Sequence, residues 1–258
     1  MTPDDALAQF EIALLAIWRS QEGDSAPGFG LLPLFGQWPS RKTPIVLFLG
    51  LSPSFVPSAL EEHWAATHHQ TPELLAIGLD ALNWVVPENA DGWGQYREAV
   101  EQLDRYSREE YKRYYGPVDK LMADTQADVH HEHLDLFPLR STDQGAFKEF
   151  LAATEDSNRA KWKAREELLN AALDLVRAMA PKVIVVVNAA ASRLVRDELG
   201  LELQTNGHRY ASLAWPGVTF LLGSQLSGGA TSEFARERLV ADLRDVLQGG
   251  QGLMARPS

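Results

Sequence analysis

The chain has 258 residues, 45% of them hydrophobic, and contains no cysteine, which excludes disulfides, thiolate zinc sites and cysteine nucleophiles. That length fits one large α/β domain or two small ones, with a substantial core. A net charge of −11 argues against nonspecific coating of nucleic acid, since phosphate contacts need local positive charge.

In chain order, Asp4 or Asp5 is placed to cap a first helix, whose apolar positions Leu7, Phe10, Ala13, Leu14 and Ile17 follow helical spacing. No basic segment followed by a long apolar run opens the chain, and no apolar stretch reaches membrane length. The expectation is a cytoplasmic protein with no membrane partner. Gly23 to Lys42 reads as a Gly/Pro-rich loop. Pro44–Gly50, P-I-V-L-F-L-G, is a continuous apolar run suited to a strand buried on both faces. From about Pro57 to Thr125 the pattern is helical, with breaks expected around Pro87–Gly94 and at Gly116-Pro117.

Next comes D-V-H-H-E-H-L-D-L-F-P-L-R, Asp128–Arg140. Alternation along an extended strand puts His131, His133 and Asp135 on one face, as a metal ligand set would require. Helices are predicted over Ala146–Ala153 and Asn158–Ala180. Lys182–Asn188, K-V-I-V-V-V-N, is the clearest buried strand, and a helix from Ala189 to Leu199 follows it directly. His208–Trp215 and Val218–Gly223 read as two strands joined by a Pro216-Gly217 turn. Gly223–Ala230 is a Gly/Ser-rich turn before a last amphipathic helix, Thr231–Leu247.

Strands alternating with helices imply an α/β fold with three α/β/α layers around a four-stranded, mostly parallel sheet. The expected organisation is a single α/β domain over 1–248, with 57–125 as a helical insertion and 249–258 as a flexible tail. Folds of this class place their sites beyond the carboxyl ends of the strands. That rule singles out Gly50–Phe55, Phe137–Thr142, Asn188 with Ser192, and Gly223–Gly229.

At these turns the chain resembles the uracil-DNA glycosylase superfamily. I-V-L-F-L-G-L-S-P-S, Ile45–Ser54, is similar to the strand and Gly-x-x-Pro turn that holds the hydrolytic water in that superfamily. Ser52 stands where the family uses Asp or Asn. L-D-L-F-P-L-R resembles the second strand, with Asp135 at the position of a base-reading Asn. P-K-V-I-V-V-V-N resembles the third strand. F-L-L-G-S-Q-L-S-G-G, Phe220–Gly229, stands in place of a His-Pro-Ser motif and lacks its histidine.

The resemblance spans about Pro44 to Leu247. It implies recognition of a nucleobase or nucleic-acid strand with weak N-glycosidic hydrolysis and no cofactor. Ser52 would orient water, a hydroxyl being a poor base at neutral pH. Asp135, as an acceptor, would suit an amino-bearing base edge. Gly50, Pro53, Ser54, Phe55, Phe137, Arg140, Asn188, Ser224, Gln225, Ser227 and Gly228 complete the expected base and phosphate site, with Phe55 or Phe137 stacking. Trp64, Trp84 and Trp93 would form a lid, and Arg140 and Lys148 would approach the backbone.

DNA or a nucleotide would be met by a local basic patch, Arg159, Lys161, Lys163 and Arg165, in the run R-A-K-W-K-A-R. A weaker basic run, Arg105–Tyr115, offers a second such surface. Two other classes stay open. A noncatalytic partner-binding module on the same fold would explain the missing catalytic groups. A metal-dependent hydrolase would use His131 and His133, with Asp135 as an oxygen ligand. G-x-S-x-G and G-x-x-x-x-G-K-[ST] are both absent, against a serine hydrolase elbow or a phosphate loop.

Overall fold

A computed structural model describes residues 1–20, 31–33, 40–52, 112–141, 144–204, 209–223 and 232–252. The chain gathers into two compact units. One comprises Met1–Pro39, Ser52–Tyr111 and Asp135–Ala178; the other comprises Ser40–Leu51, Lys112–Leu134 and Met179–Ser258.

The first unit opens with α1, Pro3–Arg19. Its N-cap is Thr2 rather than Asp4 or Asp5: Thr2 Oγ1 accepts from Asp5 N at 3.2 Å, and Asp5 Oδ2 accepts from Thr2 N at 3.1 Å. That reciprocal pair is a capping box, which satisfies two N–H groups no helical carbonyl can reach. The face carrying Leu7, Phe10, Leu14, Ile17 and Trp18 is buried, each large side chain contributing about 1.5–3 kcal/mol. Leu31–Pro33 (β1) and Leu139–Ser141 (β4) pair antiparallel, where a loop and a turn were expected. Gln144–Ala152 (α3) follows, then Glu155–Met179 (α4). Asn158 is non-helical and accepts from Lys161 N at 3.0 Å, so it caps the long segment as its predicted start implied.

The second unit holds a six-stranded sheet, not a four-stranded one. Val46–Gly50 (β2), His131–Asp135 (β3), Val183–Val186 (β5), Glu202–Leu203 (β6), Arg209–Ser212 (β7) and Trp215–Leu222 (β8) lie in the order β3-β2-β5-β8-β7-β6. Only the last residue of β3, Asp135, is grouped with the first unit. β2 pairs parallel with β5, and β5 with β8; β7 and β6 extend the sheet antiparallel. Every residue of β2 and β5 is buried, which is why both read as unbroken apolar runs.

One face of this sheet, with Val46, Phe48, Val183, Val185 and Leu221, packs against two helices. They are α2, Lys112–Thr125, through Val118, Leu121 and Met122, and α6, Glu233–Gly252, through Val240 and Leu243. The break expected at Gly116-Pro117 is absent: α2 runs through Pro117 and forgoes one backbone hydrogen bond there. The hairpin turn also differs from expectation. Leu213 and Ala214 make it, held by Ala214 N donating to Ser212 Oγ at 3.2 Å. Pro216 and Gly217 lie inside β8 as an exposed irregularity, with Gly217 at φ 82°, a conformation that favours glycine.

Candidate functional site

In the second unit β2, β5 and β8 end side by side. Val187 N donates to Leu49 O at 3.0 Å, and Gly223 N donates to Val186 O at 2.8 Å. β3 lies on one side of β2, and β5, the next strand in the chain to join this sheet, lies on the other. That reversal is a topological switch point, the position at which open α/β sheets leave a crevice beyond the strand ends.

Gly50, the last residue of β2, and Asn188, which precedes α5 (Ala189–Leu199), both lie at this end. Asn188 Oδ1 accepts from Ala190 N at 2.8 Å and Ala191 N at 3.2 Å, capping α5. Because both partners are donors, the amide oxygen faces the helix and its NH2 is turned away, leaving a donor for a ligand carbonyl or phosphate oxygen. Ser192, in the first turn of α5, donates through Oγ to Gly223 O at 2.9 Å. An added Cβ at Gly223 would stand 3.1 Å from Val186 O, a tight contact, so glycine suits the close approach of two backbones at this junction. Of these residues Asn188 offers a donor, and none of Gly50, Asn188, Ser192 and Gly223 carries an acid or base suited to proton transfer.

The first unit holds the other expected residues. Ser52 is partly buried, and its Oγ donates to Leu139 O at 3.0 Å. Its proton is thereby committed, while its lone pairs can accept from a water. Asp135 is only 3% exposed. Phe137 is fully buried and meets Phe147 and Phe150 edge-on, at centroid distances of 6.4 and 6.0 Å. Its ring packs in the core of this unit. Arg140 lies in β4 opposite Leu32, and Lys148 is exposed on α3.

The histidine row divides by strand alternation. His131 and His133 both face α2: His131 Nε2 is 3.6 Å from Asp119 Oδ1 with its ring edge-on to Phe48, and the buried His133 meets the Tyr115 ring edge-on. On the opposite face, His130 and Glu132 meet Ser40. His130 Nε2 lies 3.3 Å from Glu132 Oε1 and 3.4 Å from Ser40 Oγ, and Ser40 Oγ donates to Glu132. This second cluster was missed, although the same period of two that groups His131 with His133 also groups His130 with Glu132. Among the described residues no three His, Cys, Asp or Glu side chains converge to hold a metal ion.

Each of the four cations expected to meet phosphate has a carboxylate partner. Arg159 Nε lies 3.8 Å from Glu155, Lys161 Nζ 2.9 Å from Glu149, Lys163 Nζ 3.6 Å from Glu167, and Arg165 Nη2 2.7 Å from Glu166. Arg165 Nη1 also donates to Leu151 O and Ala153 O at 2.6 and 2.8 Å, tying down the end of α3. Its role there is structural.

Pro53, Ser54, Phe55, Ser224, Gln225, Ser227 and Gly228 lie outside the described residues, as do Trp64, Trp84, Trp93 and residues 105–111 of the weaker basic run. Among the described residues no helix is long and apolar enough to cross a membrane. No family model matches the chain, and no curated protein is detectably similar to it in sequence.

Proposed function

We propose that this protein recognises a nucleobase or a nucleic-acid strand in the manner of the uracil-DNA glycosylase superfamily, with slow N-glycosidic hydrolysis as its ceiling. One observation carries the reading. The four segments that bear the resemblance, ending at Gly50, Asp135, Val186 and Leu222, form neighbouring strands β3-β2-β5-β8 of one sheet, with its order reversing between β2 and β5. A switch point is where such a sheet takes a ligand, and the NH2 of Asn188 supplies a donor there.

The chemistry assigned to the other residues follows from their types. Ser52 accepts a hydrogen bond from water and orients it, but cannot take its proton at neutral pH, so hydrolysis is slow. Asp135 accepts from the amino group of cytosine, adenine or guanine. The test is a set of single- and double-stranded oligonucleotides carrying uracil, hypoxanthine, xanthine or mismatches, read for both cleavage and gel shift. Binding or slow base release that Asp135→Ala abolishes, while the variant keeps its unfolding midpoint, is the expected result. No shift and no cleavage with any substrate overturns the reading.

The pairing of all four cations in Arg159–Arg165 favours a second reading, a noncatalytic partner-binding module on this fold. Calorimetry separates the two, because such a module takes up no base, nucleoside or nucleotide.

A further inference from the structure

We draw no further inference here: the strongest candidate, the side-chain cluster of Ser40, His130 and Glu132 beside the start of β3, converges on the single nitrogen Nε2 of His130 rather than on the two separate nitrogens a proton relay uses, so its polar atoms serve one another in holding Ser40 to the strand and nothing among the described residues points to a ligand.

Discussion

A side chain at Gly223 would crowd the neighbouring strand. The oxygen that an added Cβ would meet at 3.1 Å belongs to Val186, which already accepts from Gly223 N at 2.8 Å, so relief would stretch that hydrogen bond. Gly223→Ala is expected to lower stability by about 1–3 kcal/mol, the usual cost of overpacking. Chemical denaturation measures it, and an unchanged midpoint would refute the close approach. Asn188 allows a cleaner separation of structure from binding. Asn188→Asp keeps an oxygen to cap α5, and Asp and Asn are equivalent caps, so stability should hold within about 0.5 kcal/mol. The substitution exchanges the outward NH2 for a carboxylate oxygen. Affinity for an oligonucleotide or a carbonyl-bearing base should therefore fall at least tenfold at constant stability. Equal affinity in the two proteins would remove Asn188 from the site.

At the scale of elements, the capping box of α1 makes its stability pH-dependent. The Thr2 hydroxyl at 2.6 Å, and secondarily the Thr2 N–H at 3.1 Å, hold the Asp5 carboxyl below its ordinary value of 3.8. A carboxyl depressed in the folded state stabilises above its unfolded pKa, and that stability is lost as pH falls through the folded pKa. Asp5→Asn should thus be less stable than the parent at neutral pH. The gap should close in strong acid, where both side chains are uncharged; thermal melts across that range test this, and a gap independent of pH would contradict it. The helices and central strands were legible because they depend on local patterns: continuous apolar runs for β2 and β5, a 3.6-residue period for α1, an Asn before the helix for α5. β1, β4 and β6 were not legible, since each spans two or three residues; β1 and β4 exist only through each other, remote in the chain, and β6 only through its pairing with β7. The hairpin turn was misplaced for a related reason. Pro-Gly signals a turn by composition, but in β8 the pair serves an irregularity, and the register of Trp215 against Ser212 puts the turn at Leu213-Ala214.

At the scale of the whole molecule, the division into two units left no mark in composition. The boundaries at 51/52 and 134/135 cut through the strand-to-turn segments that carry the resemblance, with no linker-like stretch at either. Three segments from each unit alternate along the chain, and only contacts in space reveal the grouping. The polar residues at the strand ends were legible as types; the state of each group was not. Ser52 and Asn188 each have one polar atom engaged, Phe137 is enclosed, and the basic run is neutralised by partners as distant as Glu149 from Lys161. That neutralisation, with a net charge of −11, limits how a nucleic acid can bind. A protein making six to ten phosphate contacts loses about a thousandfold or more in affinity between roughly 50 and 200 mM salt, whereas one making two contacts loses about tenfold. The expected behaviour is the weaker dependence, because freeing each cation for a phosphate means giving up its carboxylate. Exposed pairs are worth only about 0.2–1 kcal/mol, so the exchange is possible in energy and the measurement is decisive. A salt titration of oligonucleotide affinity should give a shallow slope, left unchanged by the double substitution of Arg159→Glu and Lys163→Glu. A steep slope that this substitution flattens would mean that the carboxylates yield to phosphates, and would restore Arg159–Arg165 as a nucleic-acid surface.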